Sequence, residues 1–324
     1  MIPPTDVRDI HCISVPTPYL VGPVNCYLLD GPSPVLVDCG PATDAAETAL
    51  RAGLAAHGVR PADIETIVLT HHHADHAGGL GWLRRESAAQ LVGHPFNDLW
   101  LRGNNDDLNR QSEFYAWLYR YCDTPVPPAN YFLERASAAA AETGYSTLDR
   151  ALVEGDSVEL GTGLWRVFET PGHAGTSISL VRSDGVALVG DTLLQRISSN
   201  AFAEPPYPGE TKRHRSLLAY RRTLSRLATL DVSLILPGHG PSFSDHTPLI
   251  ARRLRNQEER SQRLLAGIDD GHVTVLALTY LLFPGLAENQ LFLGLSEVIG
   301  HLDILEEAGL VRHDGEAPAR YIRP

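Results

Sequence analysis

Residues 70–79 constrain this chain more than any other stretch. They read Thr-His-His-His-Ala-Asp-His-Ala-Gly-Gly and follow an apolar run at 67–69 that is typical of a buried strand. Leu80, Trp82 and Leu83 come after the two glycines and are typical of the start of a helix. The stretch therefore places four imidazoles and one carboxylate on a turn between a strand and a helix.

The spacing within this turn suits metal ions. Side chains two residues apart on an extended segment point the same way, so His71 and His73 can converge on one ion. Asp75 and His76 follow where the chain turns and can face a second ion beside the first. Zinc, iron and manganese all accept imidazole and carboxylate ligands. His72 should face away from His71 and His73, so we do not expect it to be a ligand.

Composition narrows the classes of function. The length of 324 residues suggests two domains. The hydrophobic fraction of 43% is ordinary for a globular protein. The formal net charge of −12 argues against a general affinity for nucleic acid or anionic membranes. Residues 1–6 hold no apolar signal core, and no apolar run is long enough to span a bilayer. We therefore expect a cytoplasmic protein whose four cysteines, which lack paired spacing, stay reduced.

Two stretches of β pattern predict two sheets. Residues 9–38 carry short β-type runs separated by Gly-Pro and Pro-rich turns, and a helix is predicted from Thr43 to Gly58. From residue 151 the β pattern returns, and a second helix is predicted at about 212–229. Strands and helices thus occur in two similar halves, which predicts an α+β fold with two sheets sandwiched between helices.

Residues 96–150 are predicted to be an insertion in this pattern. Aromatic residues are far denser here than elsewhere, and some of them recur at helical spacing. A packed helical hairpin or the contact of a homodimer would explain them, and so would a lid that forms an apolar wall over a small-molecule substrate. The aromatic residues include Phe96, Trp100, Phe114, Tyr115, Trp117, Tyr119, Tyr121, Tyr131 and Phe132.

The last quarter of the chain has a different pattern. An arginine-rich stretch at 251–265 predicts a connecting helix, and residues 266–324 predict helices followed by a small hairpin, as in a winged-helix module. We therefore divide the chain into one domain at 1–250 and a second, winged-helix-like domain with its connecting helix at 251–324. One predicted helix carries an apolar stripe of Leu295, Val298, Ile299, Leu302 and Leu305.

Three further candidate ligands follow predicted strands. His173, Asp191 and His239 each lie beside a glycine, where the backbone can come close to an ion and its substrate. Strand ends on one rim of a sandwich are places where ligands from distant parts of a sequence can meet. Asp38 also lies at a strand end. His94 follows a strand and could lie near the site, although a structural role fits it better.

At this point the chain resembles the metallo-β-lactamase superfamily. The pattern His71-x-His73-x-Asp75-His76, followed by His173, Asp191 and His239, is similar to its dinuclear hydrolases in order and context. The resemblance covers about residues 7–250, weakly across 96–150. The C-terminal part resembles the winged-helix domain appended to some members, among them a lactamase-like endoribonuclease. The fold implied is an αβ/βα sandwich with the metals on one edge.

The resemblance also implies a role for each candidate. His71, His73 and His173 would hold a first metal; Asp75, His76 and His239 would hold a second; Asp191 would bridge both. Asp38 would orient a metal ligand, which the chemistry also expects, because a ligating imidazole needs an acceptor for its other nitrogen. Two divalent ions are implied, zinc first, with iron or manganese as alternatives.

Hydrolysis is the reaction class that this set favours. Two ions about 3.5–4 Å apart can share a hydroxide and polarise a carbonyl or phosphoryl oxygen, and Asp75 or Asp191 could move the proton to the leaving group. The aromatic insertion favours an ester, thioester or lactone-type small molecule as the substrate. A metal-dependent endoribonuclease is the main alternative, and a non-enzymatic regulator with a structural metal site is another. Against the nuclease, acidic residues occupy the predicted recognition helix: Glu297, Asp303, Glu306 and Glu307.

Overall fold

Two β-sheets stack face to face, and helices cover their outer faces. The computed structural model describes residues 7–128 and 130–324; the prediction about an export signal concerns residues 1–6, which lie outside the described residues. The α+β sandwich predicted from the two β-rich stretches is confirmed.

The first sheet is mixed and has six strands in sequence order. Its first three strands pair antiparallel and the rest parallel. The strands are β1 (Ile10–Val15), β2 (Val24–Leu29), β3 (Val35–Val37), β4 (Thr66–Leu69), β5 (Gln90–Gly93) and β6 (Arg150–Ala151).

The second sheet has five strands in the order β11-β10-β9-β8-β7. Only β10 and β11 pair parallel, and the other pairs are antiparallel. The strands are β7 (Ser157–Leu160), β8 (Gly163–Glu169), β9 (Ile178–Arg182), β10 (Val186–Gly190) and β11 (Leu234–Pro237).

The helices fall into an outer-layer set, an inserted set and a C-terminal set. The helices of the layers and of the site are α1 (Asp44–Ala56), α2 (Ala74–Ala77), α3 (Leu80–Glu86) and α7 (Ser216–Leu227). The insertion holds α4 (Asp98–Leu101), α5 (Asn105–Tyr121) and α6 (Tyr131–Glu142). The C-terminal part holds α8 (His246–Asp269), α9 (Val275–Leu282), α10 (Leu291–Glu307) and a hairpin of β12 (Arg312–His313) and β13 (Tyr321–Ile322).

The alternation of side chains along the strands separates the core into layers. Successive strand residues point to opposite faces of a sheet. In β3, Val35 and Val37 face the second sheet, whereas Leu36 faces α1 and α3. In β10, Leu188 faces the first sheet and Val189 packs under α7. Because both faces of each sheet are covered, nearly every central strand residue is apolar, as the sequence showed.

Helix ends follow the local sequence. The side chain of Thr43 accepts a hydrogen bond from the N–H of Ala46, as an N-cap does, and Gly58 takes a positive φ just past the end of α1. The helix predicted at 212–229 begins four residues later, at Ser216, because the chain is still leaving a turn in which Glu210 N–H donates to Tyr207 O.

The insertion and the C-terminal helices share one hydrophobic core. Phe114, Leu118 and Tyr121 of α5 pack with residues of α8, α9 and α10, and the hydroxyl groups of Tyr121 and Tyr321 lie 2.6 Å apart. The inserted helices therefore pack against the C-terminal part within the same chain. The domain boundaries at 250 and the homodimer stay predictions.

The helix predicted to read nucleic acid is largely buried. Most residues of α10 lie inside the core, including His301 and Asp303. Its acidic residues make ion pairs within the protein: Glu297 pairs with Arg260, Asp303 with Arg213, and Glu306 and Glu307 with Arg215. These pairs hold α10 onto α8 and onto the segment that precedes α7, and the expectation about nucleic acid stays a prediction.

Two smaller predictions can be compared with the described residues. Cys12, Cys26, Cys39 and Cys122 are all free thiols, as expected. Among residues 7–128 and 130–324, no helix combines the length and apolar character needed to cross a bilayer.

Candidate metal centre

The predicted site residues meet on one edge of the sandwich. The turn at 71–76 follows the carboxyl end of β4, His173 follows β8, Asp191 follows β10 and His239 follows β11. Because four strands of two stacked sheets end at the same rim, side chains more than 160 positions apart lie within contact distance. All seven residues proposed as ligands are brought together.

The first group is formed by three imidazoles. Nε2 of His71 lies 3.1 Å from Nδ1 of His73, which in turn lies 2.9 Å from Nε2 of His173. One nitrogen of His73 thus faces two other ring nitrogens, and one proton can serve only one of those contacts.

The second group lies beside the first and adds carboxylates. Nε2 of His239 lies 3.3 Å from an Asp75 oxygen. Asp191 stands between the two groups: Oδ1 is 3.4 Å from Nε2 of His76, and Oδ2 is 3.6 Å from Nε2 of both His173 and His239. Asp191 therefore occupies the place of a shared ligand.

These separations fit a shared cation better than hydrogen bonding. Donor atoms about 2.0–2.1 Å from an ion in a tetrahedral array lie about 3.3–3.4 Å apart, close to the spacings found here. In addition, Nε2 of His76, Nε2 of His239 and Oδ1 of Asp191 are buried without a hydrogen-bond partner. Buried polar atoms are rarely left in that state, so they indicate a missing partner.

The outer hydrogen bonds of the imidazoles fix which nitrogen faces the centre. Nδ1–H of His76 donates to Asp38 (2.7 Å), that of His173 to Asn200 O (2.9 Å), and that of His239 to Pro23 O (2.8 Å). With Nδ1 protonated, each Nε2 keeps its lone pair for the centre. Such outer acceptors commonly orient histidine ligands.

Asp38 is a buried carboxylate that orients groups around the centre through the hydrogen bonds it accepts. Besides His76, it accepts hydrogen bonds from the backbone N–H of Thr70 and from its hydroxyl group, both at 2.8 Å. Thr70 Oγ1 also lies 3.1 Å from Nδ1 of His71, so one carboxylate orients rings of both groups. The predicted role of Asp38 beside a ligand agrees with these contacts.

The electrostatics of the centre favour positive charge. Burial opposes protonation of His76 and His239, yet the carboxylates of Asp191 and Asp75, with Asp38 beside His76, raise the pKa of both rings. Although burial alone would raise it, the pKa of Asp191 is lowered by the surrounding imidazoles. A field that retains a proton on buried imidazole also attracts a metal cation.

The three imidazoles of the first group behave in the opposite way. Burial and the neighbouring rings lower the pKa values of His71 and His73, and burial lowers that of His173. These rings are therefore held neutral, which is the form that binds a metal.

The absence of a side chain at Gly238 allows Asp191 and His76 to lie close to the backbone there. A Cβ on Gly238 would overlap Oδ1 of Asp191 and approach Cε1 of His76 at 2.8 Å. The glycine in the Pro-Gly-His segment is thus required by close packing rather than by an unusual φ angle.

His72 and His94, the other two histidines considered in the sequence analysis, lie outside the seven-residue set. The ring of His72 was expected to face away from its neighbours, but it lies 4.8 Å from the ring of His73. It is held there by stacking on Trp100 and by a 2.8 Å contact of Nδ1 with Thr176. His94 contacts Phe96 and Glu169 instead of the central groups, in agreement with a structural role.

Sequence reasoning missed the segment 199–204, which lines the site. Its Asn200 carbonyl holds His173, and the ring of Phe202 lies 4.5 Å from His73 and 5.3 Å from His173. Buried Glu204 accepts hydrogen bonds from Gly175 N–H and Tyr207, and burial raises its pKa to about 7. No spacing of residues in this segment distinguishes it from an ordinary loop.

Comparisons with known proteins agree with the fold. The family model described as Metallo-beta-lactamase superfamily matches residues 19–239, which include all seven candidate ligands. The chain is 38% identical over 300 residues to the probable metallo-hydrolase YqjP of Bacillus subtilis (strain 168), covering 92% of each protein. It is 26% identical over 161 residues to a hydroxyacylglutathione hydrolase of Idiomarina loihiensis, covering 46% of this chain and 45% of that protein.

A solved structure matches nearly the whole chain. The crystal structure of a metallo-beta-lactamase family protein from Thermus thermophilus superimposes with a TM-score of 0.82 at 29% identity. The match covers 98% of this chain and 99% of that one, so it includes the insertion and the C-terminal helices.

Proposed function

Because the chain belongs to the metallo-beta-lactamase superfamily, we propose that it is a metal-dependent hydrolase that cleaves a small-molecule thioester, within the wider ester, thioester or lactone class. The observation that carries the proposal is the donor set: the Nε2 lone pairs of four imidazoles and the Nδ1 of His73 converge with two carboxylates on one rim. The similarity to a hydroxyacylglutathione hydrolase supports a thioester among the acyl substrates.

The residues fit two divalent ions. His71, His73 and His173 would hold one, Asp75, His76 and His239 the other, and Asp191 would contact both. Bound there, such ions, for which we propose zinc, would make water nucleophilic at neutral pH and polarise a carbonyl oxygen.

The protein's own groups handle the proton and the orientation of the reactants. Asp75 keeps 14% of its side chain exposed, against 7% for Asp191. It is therefore the carboxylate that can accept the proton of the attacking water and pass it to the leaving sulfur. Asp38 and the Asn200 carbonyl keep the rings of His76 and His173 oriented during this transfer.

The walls of the site favour an acyl group with an apolar part. Phe202 covers the first group of imidazoles and packs against Phe292 of α10, while Trp100 of α4 covers His72. These rings shield the reacting centre from water on one side, as the lid predicted for the insertion would.

We do not favour a nuclease. The three C-terminal helices and the hairpin have the elements of a winged helix, and that likeness stays a prediction. However, α10 is committed to the core and to the wall of the site, so it offers no free recognition surface.

A substrate panel with metal analysis tests the proposal. Thioesters, aryl esters, lactones and single-stranded RNA should be offered to the wild type, His73→Ala and His272→Ala, with the metal content of each protein measured. His272 is an exposed histidine and serves as the matched control. We expect thioester cleavage and about two metals per chain in the wild type and in the control, with both lost or reduced in His73→Ala. Cleavage of RNA alone, or full turnover by His73→Ala, would overturn the proposal.

A further inference from the structure

Arg110 on α5 presents an unused hydrogen-bonding edge. Its Nη1 donates to the carbonyl of Pro206 (3.3 Å), but Nε and Nη2 are buried without any partner. These two N–H groups lie on the same side of the planar guanidinium, the edge that binds a carboxylate in a bidentate manner. Buried N–H groups without an acceptor are costly, so this edge indicates a group that the protein does not itself supply.

Glu204 supplies an unpartnered oxygen in the same region. Only 1% of the residue is exposed, and Oε2 accepts two hydrogen bonds, from Gly175 N–H and Tyr207 OH, each at 2.8 Å. Oε1 accepts none, and Nε2 of His72 lies 3.8 Å from it.

Aromatic rings join these two groups to the metal centre. The ring of Trp100 lies 5.7 Å from the Arg110 guanidinium and stacks on His72 at 4.0 Å. Nitrogen atoms of His72 and of His73 and a Glu204 oxygen lie within 4.8 Å of one another. Glu204 therefore lies next to His73, and Trp100 links the Arg110 guanidinium to the same place.

We propose that Arg110 and Glu204 form a subsite for a carboxylate group of the substrate, beside the metal centre. The inference rests on the proposed function, because it assigns the subsite to the acyl substrate of that reaction. The two substrate oxygens accept from Nε–H and Nη2–H of Arg110, and Glu204 in its protonated form donates from Oε1. Trp100 packs on the carbon chain between the carboxylate and the scissile bond.

The charges exclude the obvious competing occupant, a metal ion held by His72 and Glu204. The Arg110 guanidinium lies 5.7 Å from the Trp100 ring, which stacks on His72, so its positive charge is close to this position. A further cation would be repelled, whereas an anion compensates the charge. Burial raises the pKa of Glu204 to about 7, so a large fraction carries a proton at neutral pH and does not repel a carboxylate.

Two matched substrates test the subsite. One is a thioester whose acyl chain ends in a carboxylate, and the other is the same thioester ending in a carboxamide. We expect the wild type to prefer the carboxylate in kcat/KM by about 10- to 100-fold, the effect of one or two charge-assisted hydrogen bonds. Arg110→Met, which keeps the packing on Trp100, should abolish the preference mainly by raising KM for the carboxylate substrate. Arg120→Met, an exposed arginine on the same helix, is the matched control and should retain the preference.

The outcomes separate this inference from the proposed function. Equal use of both substrates by the wild type, or an equal loss on both in Arg110→Met, would overturn the subsite while leaving the hydrolase in place. If neither thioester is cleaved, calorimetry with glutarate and glutaramide decides: glutarate should bind the wild type and Arg120→Met at least 10-fold more tightly than Arg110→Met. Equal affinities of the wild type and Arg110→Met for glutarate would show that Arg110 does not bind the carboxylate. Should Arg110→Met fail to fold, Arg110→Lys keeps the charge but not the paired edge, and it should lose most of the preference.

Discussion

Replacing Asp38 by Asn should separate the orientation of a ligand from the fold. Asp38 is 2% exposed and accepts three hydrogen bonds, two from Thr70 and one from Nδ1–H of His76. Its φ of 60° is tolerated by Asn better than by most residues. The substitution therefore preserves shape and backbone while removing one acceptor.

The expected loss follows from the missing acceptor. The single amide oxygen can replace Oδ2, which accepts from His76 and the Thr70 hydroxyl, or Oδ1, which accepts from the Thr70 N–H, but not both, and a buried unsatisfied donor costs about 1–3 kcal/mol of folding stability. Without its acceptor the His76 ring can rotate or change its tautomer, and loss of such an outer partner typically weakens metal binding about 10- to 100-fold. Activity at limiting metal should fall by a similar factor and recover in part with excess metal.

Metal affinity by competition with a chelator and stability by urea unfolding measure the two effects separately. Asp30→Asn is the matched control, because Asp30 pairs with His11 at 2.8 Å but is nearly half exposed, so we expect a change below about 0.5 kcal/mol. Unchanged metal affinity in Asp38→Asn, with His76 still ordered, would refute the role assigned to this carboxylate.

Three further substitutions test other parts of the structure. Gly238→Ala should abolish metal binding and activity in a folded protein, because its Cβ overlaps the Asp191 carboxylate, whereas Gly240→Ala meets open space and should cost only about 1 kcal/mol of backbone strain; metal content distinguishes the two. Arg213→Met should lower the free energy of unfolding by about 3 kcal/mol, since it leaves the buried Asp303 carboxylate of α10 with the longer 3.7 Å contact to Nε of Arg215, and a loss below about 1 kcal/mol in denaturant unfolding would contradict this. Glu204→Gln should flatten the pH dependence of stability: the folded carboxyl binds its proton more tightly than the unfolded one, so wild-type stability declines as pH rises from about 4.5 to about 7, by about 3 kcal/mol at ~1.36 kcal/mol per pH unit. Parallel curves for both proteins in urea unfolding between pH 5 and 8 would contradict the shifted pKa.

The features that the sequence could predict are local or periodic ones. Short apolar runs identified the strands, and Thr43 and Gly58 marked the ends of α1. The turn at 71–76 was recognisable because its ligands are close in sequence. His173, Asp191 and His239 could be added because each follows a strand and lies beside a glycine, and strand ends of stacked sheets share a rim.

The features that could not be predicted depend on contacts between distant segments. His72 was expected to point away by simple alternation, but Trp100 and Thr176, which lie 28 and 104 positions away, fix its ring beside His73. Arg110 and Glu204 become notable only because their polar atoms are buried without partners. Nothing in the local sequence of an arginine on a helix, or of a glutamate in a loop, reveals that state.

The same reasoning explains why the C-terminal helices belong to the frame of the site. Asn200 holds His173 through its carbonyl, and its side-chain amide donates to Leu293 O of α10 at 2.9 Å. Ala203 N–H donates to the Ser296 hydroxyl of the same helix at 3.1 Å. Because α10 is also packed on α5, which carries Arg110, it joins the segment that orients a ligand to the helix that we assign to substrate binding. If α10 moved to bind another molecule, it would disturb the orientation of His173. The same contacts therefore bury α10 and make it part of the wall of the site.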